Sequence, residues 1–200
     1  MRPRATRTAG VRGRGILAAA LVGTVLGAVG VLMSVPARGA EREPTTSQVE
    51  GPYYKPNSPL RTSLLEKGMP GTKLVLKGGV LASDGSAIQG ARLDFWQADS
   101  NGVYDNEGYR LRGHQFADEQ GRYSLETVVP GNYAGRTSHI HVKVQAPGRP
   151  ILTTQLFFPD DPRNRVDWLY KPGLLLQVRD TAGGREAAFD FVLKLRSSGE

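Results

Sequence analysis

Arg136-Thr137-Ser138-His139-Ile140-His141-Val142-Lys143-Val144-Gln145 is the stretch on which the fold turns. From Ser138 onward polar and apolar residues alternate with a period of two, the signature of a half-buried β-strand. Ile140, Val142 and Val144 take one face, and His139, His141, Lys143 and Gln145 take the other. Two imidazoles at i and i+2 on a strand project to the same side, which is the start of a metal site. The chain has 3 histidines in all, and two of them stand here, one residue apart.

Outward from that strand the same punctuation repeats. Strands are expected over 73–82, with an awkward Gly78-Gly79 that suggests a bulge, and over 90–98, where Leu93, Phe95 and Gln97 oppose Asp94, Trp96 and Ala98. Further strands are expected over 122–128, 151–158, 174–179 and 189–195, the last two separated by Ala182-Gly183-Gly184. Residues 63–67 suit a single helical turn. With 25 glycines, 13 prolines and no long amphipathic helix, the pattern is all-β. It predicts one antiparallel β-sandwich of about seven to nine strands over 49–196. At 39% hydrophobic residues, the chain can fill the core of such a domain.

The formal charge of +7 is local. Residues 1–37 carry Arg2, Arg4, Arg7, Arg12 and Arg14 and no acid, which leaves +2 for the rest. A near-neutral domain gives no footprint for nucleic acid, and that partner is set aside. The arginines precede an uncharged run from Ile16 to Met33 and then Val35-Pro36-Ala37 with its small residues. This order reads as an export signal, with an uncleaved membrane anchor over 16–33 as the alternative. Gly13 splits Arg12 from Arg14, so no twin-arginine pair is present. Either way the domain is expected outside the cytoplasm, behind a flexible polar lead-in over 38–48. No cysteine exists to supply a thiolate ligand, a nucleophile or a disulfide.

The donors that complete the histidine pair are therefore the question. Glu119 and Glu126 read as solvent-facing, and no acid follows His141 until Asp160. A cupin-type arrangement fails, because Gln145 and Ala146 stand where its glutamate belongs and no later histidine follows. A three-histidine zinc site would need His114, a loop histidine with no orienting carboxylate beside it. The remaining oxygen donors are Tyr104, Tyr109, Tyr123 and Tyr133. A phenol gives up its proton near pH ~10, so binding as phenolate at neutral pH takes a strong Lewis acid. A His/Tyr set thus favours Fe(III) over Mg or Ca.

At this point the residues resemble a known family. Gly90-Ala91-Arg92-Leu93-Asp94-Phe95-Trp96-Gln97-Ala98-Asp99-Ser100-Asn101-Gly102-Val103-Tyr104 is similar to the signature of intradiol ring-cleavage dioxygenases. So is Pro130-Gly131-Asn132-Tyr133 followed by Gly135-Arg136-Thr137-Ser138-His139-Ile140-His141. Glu50-Gly51-Pro52-Tyr53-Tyr54, Gly78-Gly79-Val80 and Gln155 before Phe157-Phe158 fit the same pattern. The resemblance runs over about 49–195, is strongest to compact secreted-type members, and implies a β-sandwich.

It also implies that Tyr104, Tyr133, His139 and His141 ligate a non-haem Fe(III). Tyr133 would be the axial tyrosine that leaves when substrate binds, with His141 the other axial ligand and Tyr104 and His139 equatorial. Arg136 would stabilise charge beside the substrate ring, and Gln155 would line the pocket. The implied reaction opens a catechol-type ring between its two hydroxyl-bearing carbons with O2, giving a cis,cis-muconate. The resemblance implies a small aromatic diol as partner, membrane contact only through the leader, and room for a homo-oligomer. The short loop from Tyr133 to His139 leaves open which diol is bound. A helical dimerisation segment and a carbohydrate-binding companion domain are not expected. The rival readings are a cell-envelope binding module without catalysis and the His114 zinc hydrolase.

Overall fold

A computed structural model of the chain describes residues 41–195. The expected leader over 1–37 lies outside the described residues. Among the described residues there are nine strands: β1 (Lys73–Ala82), β2 (Arg92–Trp96), β3 (Arg112–Phe116), β4 (Arg122–Val128), β5 (His139–Gln145), β6 (Leu152–Phe157), β7 (Gln177–Thr181), β8 (Gly184–Ala188) and β9 (Phe191–Leu193). They form an all-β sandwich. One sheet runs β4-β1-β8-β7 with β9 also paired to β1, and the other runs β3-β2-β5-β6.

The core lies between the sheets. Leu74, Leu76 and Val80 of β1 and Leu125 of β4 meet Leu93 and Phe95 of β2 and Ile140, Val142 and Val144 of β5. All three apolar β5 side chains have no exposed surface. Each is worth about 1.5–3 kcal/mol of burial, which fixes the register, because a one-residue slip would put the histidines in the core.

Several expectations need correction. The pairing is antiparallel except where β1 meets β8 and β9, both in parallel. Gly78-Gly79 forms no bulge, since both residues stay in register with Tyr123 and Arg122 of β4. The glycine serves a close approach instead: a Cβ on Gly78 would fall 1.7 Å from the Phe189 carbonyl oxygen. That is where β1 passes from its β8 pairing to its β9 pairing. Residues 63–67 form no helix, and Ser63 bridges Glu126.

Strand β3 replaces what reads as loop, and His114 lies on it. The strand expected over 174–179 is a short 3-10 turn at Pro172–Leu174 followed by β7, and 189–195 contributes only β9. The Ala182-Gly183-Gly184 separator is a hairpin turn that leads directly into β8. Nor does the described part of the lead-in hang free. Backbone hydrogen bonds fasten Arg42 to Ser83, Thr45 to Val192 and Gln48 to Thr153.

Candidate metal centre

The outward face of the β3-β2-β5-β6 sheet carries the polar chemistry. Strand register sets Arg112, Trp96, His141 and Gln155 in one row across four strands, and pairs His139 with Phe157. Trp96, Ala98 and Tyr104 form a second apolar cluster here, packed against Tyr53, Tyr54 and Tyr133. The face is covered by the segment Glu50-Gly51-Pro52-Tyr53-Tyr54. Lys143 pins that cover, ion-pairing with Glu50 and lying 3.5 Å over the Tyr54 ring.

Two loops bring Tyr104 to the histidine pair and Tyr133 to Tyr104. Backbone packs on backbone at their bases: a Cβ on Gly102 would fall 2.1 Å from the Asn132 oxygen, and one on Gly131 would fall 2.5 Å from the Ser100 oxygen. Gly131 N–H donates to Asp99 O at 2.8 Å. Each glycine precedes its tyrosine by two residues, so joining the turns brings Tyr104 and Tyr133 together, with ring centroids 5.4 Å apart and edge-on.

The donor geometry is specific. His139 Nε2 and His141 Nε2 lie 3.1 Å apart, and Tyr104 Oη lies 3.4 Å from His139 Nε2. His139 Nδ1 donates to Thr137 O at 2.6 Å, which leaves the Nε2 lone pair aimed at the cluster. His141 is held differently: its ring stacks flat on Trp96 at 4.8 Å, and its buried Nδ1 has no hydrogen-bond partner.

Burial drives the His139 pKa down to about 4, with the Thr137 hydrogen bond opposing it in part. Burial, and then the neighbouring imidazole, push His141 well below its ordinary value. Both rings are therefore neutral near pH 7, the form that binds metal. Two neutral imidazoles with Nε2 atoms this close, and the His139 proton fixed on the far side, can share either the His141 proton or a metal ion. Nitrogens about 2.1 Å from one ion and at right angles to each other lie about 3 Å apart, which the pair fits. Burial also pushes the Tyr104 phenol far above its ordinary pKa, although Arg136 and Arg112 oppose this. Without a Lewis acid it stays protonated. Among the described residues no group of three or more His, Cys, Asp or Glu gathers to offer a competing site.

Arg136 and Gln155 also come to this face. Arg136 Nη2 donates to Gln155 Oε1 at 2.8 Å, while Gln155 Nε2 donates to Val49 O at 3.0 Å. Arg136 Nε pairs with Asp167 Oδ2 at 2.7 Å, and that carboxylate also accepts from Thr137 N. The cation of Arg136 is felt at Tyr104, His139 and His141 alike.

Three sequence candidates are not brought in. Tyr109 donates its hydroxyl to Pro56 O, and Tyr123 is packed in the sandwich core with its hydroxyl on Phe189 O. His114 faces Asp94 rather than the pair, and its Nδ1 is engaged by Ser58 O at 2.7 Å. That removes the ligand on which the zinc reading depended.

Sequence reasoning missed four residues that build the site. Tyr53 stacks on Tyr104 at 4.4 Å and shares a short hydrogen bond with Tyr133. Buried Arg112 ties the Tyr53 and Asp105 carbonyls together. Asp161 Oδ2 accepts from Ser138 N at 2.7 Å and from Asn132, holding the loop between the two ligand segments. Asp167 braces Arg136. The Asp161 and Asp167 contacts span 23 to 31 residues and leave no local pattern, whereas Tyr53 stood within a motif already singled out.

A family model described as dioxygenase matches residues 49–195. The chain belongs to the intradiol ring-cleavage dioxygenase family. It is 33% identical over 154 residues to catechol 1,2-dioxygenase of Candida albicans, covering 63% of this chain and 51% of that one. It is 31% identical over 175 residues to hydroxyquinol 1,2-dioxygenase of a Rhizobium species, covering 72% and 59% respectively. The chain thus spans between about half and three fifths of those curated relatives. Among solved structures, it is 54% identical to the dioxygenase domain of a dioxygenase carbohydrate-binding protein fusion from the cellulolytic bacterium Streptomyces sp. SirexAA-E. The TM-score is 0.75, with 76% of this chain and 99% of that one covered. A 3-chlorocatechol 1,2-dioxygenase from Rhodococcus opacus is 29% identical, with a TM-score of 0.70 over 76% of this chain and 74% of that one.

Proposed function

We propose that this protein is a non-haem Fe(III) dioxygenase. It opens a catechol-type ring between the two hydroxyl-bearing carbons and places both atoms of O2 in a cis,cis-muconate. The observation that carries the reading is the pair of buried, neutral Nε2 atoms 3.1 Å apart, with a phenol oxygen 3.4 Å from one of them. Neither thiolate nor carboxylate completes that set, and N/O donors including phenols suit a ferric ion. Family membership supports the same assignment.

Tyr104, Tyr133, His139 and His141 would hold the iron. When bound, it supplies the means for O2 to react with an aromatic diol, by drawing electron density from the ring. The chain's own residues do the rest. Tyr133 Oη would hold a proton taken from the diol. Arg136, fixed at two atoms by Asp167 and Gln155, presents positive charge where negative charge builds on the ring. The Trp96 face and the Thr137 carbonyl keep the two imidazoles oriented. The Glu50–Tyr54 cover keeps bulk water off the face. The basic and apolar composition of residues 1–37 supports a site of action outside the cytoplasm.

Protein purified in air should hold about one iron per chain, be red from phenolate-to-iron charge transfer, and consume O2 with some member of a catechol panel. Colourless, iron-free protein with no oxygen uptake overturns the reading.

A further inference from the structure

We infer that Tyr53 is a positioning residue that sets how strongly Tyr133 binds the metal, through a hydroxyl–hydroxyl hydrogen bond. The inference rests on the function proposed above.

Tyr53 touches both ligand tyrosines. Its ring lies flat on Tyr104, 4.4 Å between centroids and 9° between planes, and stands edge-on to Tyr133 at 5.1 Å. Its Oη meets Tyr133 Oη in a short hydrogen bond. The backbone behind it is fixed, because the Tyr53 carbonyl accepts from the buried Arg112 guanidinium, which also holds the Asp105 carbonyl next to Tyr104. One buried cation thus locks Tyr53 to the loop that carries Tyr104.

The direction of the bond follows from chemistry. A ligating phenolate has no proton to give, so Tyr53 O–H donates and Tyr133 Oη accepts. A donated hydrogen bond draws lone-pair density from the acceptor oxygen. Tyr133 then carries a donated hydrogen bond that Tyr104, buried and facing His139, does not receive from Tyr53. That asymmetry marks Tyr133 as the ligand able to leave. A side chain that only filled space would need no hydroxyl, and phenylalanine would serve equally well.

Tyr53→Phe keeps the ring and its stacking, removes one hydroxyl from a half-buried position and leaves the sandwich core untouched. The measurements are iron content and the visible spectrum of protein purified in air. Expected is iron retained near the wild-type level, with the charge-transfer band moved to longer wavelength because the freed phenolate is a stronger donor. In a Tyr133→Phe background the same substitution should move nothing. An unmoved band in Tyr53→Phe, or an equal shift in the Tyr133→Phe background, overturns the inference while the wild-type band leaves the proposed function standing. A wild-type protein with no such band overturns both.

Discussion

Strand β5 shows two faces built under opposite rules from alternate residues. Inward, Ile140, Val142 and Val144 are fully buried in a dry apolar core, where shape is the only requirement. Outward, His139 and His141 are almost as buried, at 4% exposure each, yet every neighbour is chosen for a direction. Thr137 O fixes one ring, Trp96 stacks on the other, and two loops deliver phenols. The inner face stabilises the fold and is indifferent to chemistry. The outer face spends stability on it, since buried polar groups such as His141 Nδ1 lack partners.

Substitutions along β5 should therefore separate metal from stability. His141→Ala is expected to remove iron and colour and to lower kcat/KM by more than the roughly 100-fold that supporting partners of a metal ligand cost. Its melting in the metal-free form should change little. Metal analysis and calorimetry check both parts. One residue away, Ile140→Ala should cost about 2–5 kcal/mol of stability while the folded protein keeps its iron, measured by urea unfolding and by metal content at low temperature. Similar iron loss in both variants would erase the distinction between the faces.

On the outer face, Arg136→Gln should leave iron and charge-transfer colour in place and lower kcat by about 100- to 1000-fold, as loss of a preorganised charge does. Steady-state oxygen uptake on catechol would measure it. Asp167→Asn weakens the brace rather than the charge, so a smaller loss of about 10-fold is expected, with the Arg136→Gln background abolishing the difference.

The smallest effect is in acid. Burial pushes the Asp161 and Asp167 carboxyls up. Hydrogen bonds from Ser138 and Arg163 to Asp161, and from Arg136 to Asp167, outweigh that and hold both below the ordinary aspartate value. A depressed folded pKa gives stability that is complete above about pH 4 and lost as pH falls through the lower folded values. Unfolding free energy should drop between pH 5 and pH 3 in wild type, and by less in Asp167→Asn.

The sequence made the inner face legible and half of the outer one. Period-two alternation located β1, β2, β4, β5 and β6, because apolar residues facing a core leave that mark. It missed β3, whose Arg112-Gly113-His114-Gln115-Phe116 holds no apolar alternation yet buries Arg112 under the Tyr53 segment. It missed β8, a short strand held by parallel pairing to a residue run more than a hundred positions earlier. His139 and His141 were read from the strand alternation and Tyr104 and Tyr133 through motif resemblance; the geometry sets Tyr104 beside His139, His139 beside His141, and the Tyr133 ring edge-on to Tyr104. Asp161 and Asp167 could not be found that way. They act through contacts made only after the chain has folded, and an aspartate in a Pro-rich turn reads the same whether it braces a ligand loop or faces water.

The most direct test of the central claim is turnover of a panel of catechols under 18O2, with the product identified by mass and ultraviolet spectrum. The account predicts that at least one member consumes one O2 per diol and yields a cis,cis-muconate carrying label from both oxygen atoms. A ring opened outside the diol carbons, or no labelled product from any member with iron-loaded protein, would contradict it.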